Sequence, residues 1–118
     1  MDNSVHWLTD EIAVTGQISP QNISSIKKMG FNSIICNRPD YESDLQQPTQ
    51  ESIEIEANAY GIAFRYFPVD SNYHSEEEAQ KMSYLMDTLP KPIFVFCRTG
   101  GRSSALIGLS IQLGFYKP

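Results

Sequence analysis

The sequence predicts an α/β domain: a parallel-type sheet of about four to five strands with helices on both faces. Three features carry this reading. Short apolar runs, Ser33-Ile34-Ile35-Cys36-Asn37 and Ile93-Phe94-Val95-Phe96, suit strands buried on both sides. The segments between them repeat their apolar residues at helical spacing. Strand-like and helix-like segments alternate throughout, as they must where parallel strands are joined by helical crossovers. At 118 residues the chain reads as one domain, 1–118.

Element by element, Glu11 to Thr15 is the first strand, ended by Gly16. Ser19 caps a helix with Pro20 at its first position, Ile23 and Ile26 mark its buried side, and Gly30 stops it. The strand Ser33 to Asn37 breaks at Arg38-Pro39-Asp40, and residues 41–48 read as a surface loop. A helix covers Gln50 to Tyr60 and ends at Gly61, and Ala63 to Val69 forms the third strand. Ser75 and Glu78 form a capping box for the next helix, in which Ala79, Met82, Leu85, Met86 and Leu89 recur at helical spacing. Pro90 and Pro92 end it before the strand Ile93 to Phe96. The last helix, about Arg102 to Leu113, is apolar on most sides, so a covering element beyond the chain, a further helix, is expected.

Composition narrows the function. The net charge of −5 offers no basic stripe for nucleic acid, and no apolar run reaches membrane-spanning length. Met1 to Asp10 has neither a basic segment nor an apolar core, so the cytoplasm is expected, or the periplasm if a leader has been removed. Two cysteines, Cys36 and Cys97, are too few for a disulfide framework and lack metal-site spacing, so no metal site is expected.

The chemistry lies in Cys97-Arg98-Thr99-Gly100-Gly101-Arg102-Ser103-Ser104. This stretch follows a buried strand and opens a helix. Gly100 and Gly101 let backbone amides turn inward, and the helix start adds unpaired N–H groups. Arg98, Thr99, Gly100 and Gly101 are therefore candidate anion-binding residues, and Arg102 adds a planar fork for a tetrahedral oxyanion. A thiol at Cys97 among these groups should ionise more readily than a free cysteine and act as a nucleophile.

The stretch Ile93 to Ser104 resembles the signature of cysteine-dependent phosphatases, and also the active-site loop of rhodaneses. Ile18 to Glu42 is similar to the early part of dual-specificity-type phosphatases. Gly16-Gln17-Ile18, Asn37 to Asp40 and Cys97 to Gly100 resemble segments of the bacterial beta-lactamase-hydrolase-like phosphatase domains, and the resemblance covers nearly the whole chain. It implies a cysteine-phosphatase-like fold and hydrolysis of a phosphorylated protein or small phosphate ester through phosphocysteine, with no metal or organic cofactor. On this reading Asp70 is the proton donor, Ser103 hydrogen-bonds the thiolate, and Cys36 is a redox partner of Cys97.

Two departures keep sulfur transfer open. Phe96 stands where tyrosine phosphatases have a histidine. Four residues lie between Cys97 and Arg102, one fewer than is typical there and the number found in rhodaneses. The alternatives are thus a sulfurtransferase working through a Cys97 persulfide and a non-catalytic module that binds a phosphorylated ligand. Arg38 and Asp40 are expected to form a solvated turn, His74 to lie in a loop, and His6 and Trp7 to pack on the sheet.

Overall fold

The structure, a computed structural model, describes residues 5–42 and 45–118. Residues 43 and 44 of the expected 41–48 loop, and the first four residues of the segment read for a leader, lie outside the described residues. The strands are β1 (His6–Trp7), β2 (Ile12–Thr15), β3 (Ser33–Cys36), β4 (Ala63–Tyr66) and β5 (Ile93–Phe96). The helices are α1 (Ile23–Lys28), α2 (Gln50–Ala59), α3 (Glu76–Thr88) and α4 (Gly101–Gln112).

The sheet runs β1-β2-β5-β3-β4. All neighbours are parallel except β1, which joins the edge antiparallel to β2. Residues alternate between faces along each strand. Ile93 and Val95 of β5 meet Met82 and Met86 of α3 and Leu106 and Ile107 of α4. Phe94 and Phe96 meet Ile23 and Ile26 of α1 and Ile53 and Ala57 of α2 on the opposite face. Phe31, Phe94 and Phe96 are wholly buried, each contributing on the order of 1.5–3 kcal/mol through removal of apolar surface from water.

This layering fixes where a ligand can bind. The helix that follows β3 lies on one face and the helix that follows β5 on the other. The chain therefore diverges between these neighbouring strands and leaves a crevice at their carboxyl ends. Register pairs Thr15 with Phe96, Phe96 with Cys36, and Cys36 with Tyr66, so all four parallel strands end level. Gly16, Cys97, Asn37 and Phe67 follow along one edge.

Three features differ from expectation. The helix capped by Ser19 begins with a 3-10 turn, Pro20–Asn22, in which Asn22 Oδ1 accepts the Ser19 N–H at 2.9 Å; regular α1 starts at Ile23. The strand expected to reach Val69 ends at Tyr66. Phe67 and Val69 still donate N–H bonds to Cys36 and Asn37, but Pro68 between them has no N–H to continue a ladder. Finally, α4 is less enclosed than its composition implies: Leu106 and Ile107 are buried, whereas Ala105, Gly108, Ile111 and Leu113 are exposed.

Candidate active site

The loop from Cys97 to Arg102 is held from below by a backbone crossing. Cys97 N–H donates to the Thr15 carbonyl at 3.3 Å, and Gln17 N–H donates to the Arg98 carbonyl at 3.1 Å. The crossing requires glycine at position 16, where a Cβ would stand 2.9 Å from the Arg98 carbonyl oxygen. Gly100 has φ +95°, a left-handed conformation that L side chains resist, and it turns its N–H back onto Cys97 Sγ at 3.1 Å. Gly16→Ala should therefore displace the loop and lower stability by about 1–3 kcal/mol, read as a fall in the urea midpoint.

Cys97 is buried, with 1% of its surface exposed. Burial alone pushes its thiol up. Hydrogen bonds from the Ser103 hydroxyl and from the backbone N–H groups of Ser103, Gly100 and Thr99 outweigh that effect, and the net shift is below the ordinary cysteine value. Ser103 has a second tie, donating its hydroxyl to Asn37 Oδ1 at 2.8 Å. Asn37 in turn donates from Nδ2 to the Phe67 carbonyl at 3.0 Å, which fixes its amide with the oxygen towards Ser103. The single hydroxyl proton thus has two acceptors, whereas the backbone donors serve the sulfur without competition.

Arg102 is buried and firmly oriented. One terminal nitrogen donates to the Val69 carbonyl at 3.1 Å and the other to Glu42 Oε1 at 2.8 Å. Its Nε is buried and has no hydrogen-bond partner among the described residues. An unpaired buried donor of a cation is costly. Glu42 also accepts from Arg38 Nε at 3.2 Å, and Arg38 reaches Gln17 Oε1 at 3.0 Å. The Arg102 hydrogen bond is the chief reason that the Glu42 carboxyl lies below the usual carboxylate range: burial raises it, and the charges of both arginines and the Arg38 hydrogen bond lower it further.

Arg38 is consequently not part of a solvated turn, as expected, but a buried strut with 6% exposure that braces the partner of Arg102. Asp40 does have a local structural role: its Oδ1 accepts the Gln50 N–H at 2.8 Å at the start of α2.

A cavity of about 290 Å³ opens over the loop, lined by Cys97, Arg98, Thr99, Gly101, Arg102 and Ala105 and closed on one side by Ser71 and His74. Asp70 is not in that lining. Its carboxylate is exposed and accepts the Asn72 N–H at 2.7 Å, holding the turn that carries Ser71 and His74. His74 Nδ1 is buried without a hydrogen-bond partner among the described residues. Cys36 is buried on the neighbouring strand, donates its thiol to the Arg38 carbonyl at 3.3 Å, and is pushed up to about 12, first by burial. It remains a protonated thiol, which weighs against ready disulfide exchange with Cys97.

Asn37, Glu42, Ser71 and His74 were not singled out as site residues by sequence. The signal for Asn37 was its position at the end of a strand beside Cys97; Glu42 carried none.

A cysteine and an arginine on one amide-lined loop, at the carboxyl edge of a parallel sheet, define a phosphatase-like domain of the cysteine-phosphatase fold. The chain belongs to the family described as beta-lactamase hydrolase-like protein, phosphatase-like domain, which matches residues 4–114. It is 27% identical over 103 residues to the beta-lactamase hydrolase-like protein of Xylella fastidiosa, an alignment covering 87% of this chain and 24% of that protein. The chain thus spans about a quarter of the length of this curated relative. Among solved structures it is similar to a candidate phosphatase of Neisseria meningitidis, with 26% identity and a TM-score of 0.84 over 91% of this chain and 75% of the other. The core catalytic domain of the PP-IP phosphatase SIW14 from S. cerevisiae shares the fold at 18% identity, with a TM-score of 0.73 over 98% and 68% of the two chains. Among the described residues no helix is long and apolar enough to cross a membrane.

Proposed function

We propose that the chain hydrolyses phosphate monoesters through a phosphocysteine on Cys97. The observation that carries this reading is the shared cavity lining of Cys97, whose sulfur accepts an amide N–H, and Arg102, whose buried Nε has no hydrogen-bond partner among the described residues. A tetrahedral dianion over the loop would take that N–H and the inward-facing amides, and its phosphorus would face the sulfur. The Cys97 thiolate attacks phosphorus, the bond to the leaving oxygen breaks, and that oxygen takes a proton. Water then attacks phosphocysteine, releasing inorganic phosphate and restoring the thiolate. Arg102 and the loop amides hold the equatorial oxygens in both steps. Ser103, adjacent to the sulfur, favours its departure as thiolate.

The proton comes from the segment 70–74 on this reading. Asp70 is the donor that the resemblance implies. His74 is a second candidate, because it and not Asp70 lines the cavity. Asp70→Asn and His74→Gln separate the two: loss of the true donor slows aryl phosphates with poor leaving groups by about 10²-fold or more and spares good ones. It also removes one limb of the pH profile.

Sulfur transfer has one specific feature in its favour, the four-residue spacing from Cys97 to Arg102. An aryl phosphate assayed beside thiosulfate plus cyanide decides between them. Cys97-dependent release of phosphate without thiocyanate is the expected result. Thiocyanate formation without phosphate release would overturn the phosphatase reading.

A further inference from the structure

We propose that the organic body of the substrate lies in a groove over α4 that has no lysine or arginine, so that the site selects phosphomonoesters of large neutral aromatic groups over small molecules carrying a second phosphate. This rests on the phosphatase reading above and extends it to the substrate class. The cavity over Cys97 continues into a second one of about 600 Å³, with Ser71, His74 and Ala105 common to both. The second runs along the exposed face of α4 over Gly108, Leu109 and Gln112, with Tyr73 as its opposite wall.

Charge distinguishes the two compartments. Arg98 and Arg102 line the first, while beyond His74, which the two share, no Lys, Arg, Asp or Glu among the described residues lines the second. A second phosphate placed over Gly108 and Gln112 would lose water without gaining a lysine or arginine, which is unfavourable. An aromatic body would lose little and gain contact with Leu109 and with Tyr73, whose side chain is 72% exposed and free to stack.

The floor of the groove supports the same reading. Gly108 sits inside a helix, where glycine is disfavoured relative to alanine. A Cβ there would meet nothing within 4 Å, so close packing does not require the glycine. Together with Ala105, one turn earlier, it keeps the groove open.

Gly108→Leu tests this, because a Cβ at that position meets nothing within 4 Å and the residue lies outside the Cys97 loop. Phenyl phosphate, 3-O-methylfluorescein phosphate and fructose 1,6-bisphosphate serve as small, large neutral and doubly phosphorylated probes. The expected result is a kcat/KM about tenfold higher for the fluorescein ester than for phenyl phosphate, with the bisphosphate poorest. Gly108→Leu should raise KM for the fluorescein ester about tenfold and leave both constants for phenyl phosphate within about twofold. Gln112→Trp, which obstructs the same groove from outside the segment 70–74, should move the fluorescein ester the same way and serves if the leucine variant does not fold. Preference for the bisphosphate, or equal effects on both aryl esters, would overturn the groove alone. Hydrolysis of none of the three by the wild type would instead overturn the phosphatase reading and this proposal with it.

Discussion

Cys97→Ser is expected to reduce aryl phosphate turnover by about 10⁴-fold or more, with little change in stability. Serine preserves a small polar group under the Gly100 amide, so the loop keeps its 3.1 Å contact partner in kind. What it loses is the nucleophile. The donors around Cys97 outweigh burial and hold the thiol below its ordinary value, whereas a serine hydroxyl among the same donors stays protonated at neutral pH. The variant should still bind inorganic phosphate or vanadate, because Arg102 and the amides are untouched. In the wild type, the pH midpoint for iodoacetamide alkylation of Cys97 should lie below that of free cysteine, and Ser103→Ala should move it up. A serine variant that retained a tenth of the wild-type rate would remove Cys97 from the mechanism.

Arg102→Lys should lower kcat by about 10²–10³-fold, the scale associated with losing a donor aimed at transition-state charge. Charge is conserved in this variant, so the loss measures geometry. Arg102 spends one terminal nitrogen on the Val69 carbonyl and the other on Glu42, and its Nε has no partner among the described residues. A lysine ammonium has no fork and cannot satisfy three directions from one rigid plane. It also leaves Glu42 with Arg38 as its remaining ion-pair partner among the described residues. Steady-state kinetics should show the fall mainly in kcat, since the equatorial oxygens gain most from the fork as charge spreads over them. An equal rate in the lysine variant would mean that the fork has no role in turnover.

Much of the fold was legible in the sequence for local reasons. The apolar runs of β3 and β5 are short and flanked by turn residues, and buried parallel strands leave that mark. α3 announced itself through Ser75 and Glu78, and the structure forms both bonds of that box: Glu78 N–H to Ser75 Oγ at 3.1 Å and Ser75 N–H to Glu78 Oε1 at 2.9 Å. β1 left no such mark. It is two residues long and exposed, and Trp7 holds it by stacking on Phe31 at 5.1 Å between ring centroids. The length of the Ala63 strand was overread because its aromatic composition continues past Pro68, where the ladder cannot.

The same division runs through the candidate site. The Cys97 loop could be read because one contiguous stretch supplies strand end, glycines, arginine and helix start. The support for Arg102 could not, because Glu42 lies 60 residues away and its neighbours in sequence are polar loop residues. Arg38 was read as part of a solvated turn for a related reason: Glu42 is only four residues on, but the fold alone brings Gln17 to it and buries the arginine that the two share. Gly16 looked like a simple strand terminator, and its second duty, clearance for the Arg98 carbonyl, is visible only in three dimensions.

Trapping the intermediate tests the role of Cys97 most directly. Wild-type protein mixed with an aryl phosphate and quenched in acid within a turnover should yield one phosphoryl group on the peptide that contains Cys97. Asp70→Asn and His74→Gln should be quenched alongside it, since loss of the group that activates water would make the adduct accumulate. Phosphate release with no phosphoryl adduct on Cys97 in any of the three proteins, or a persulfide on that residue after thiosulfate in place of the adduct, would contradict it.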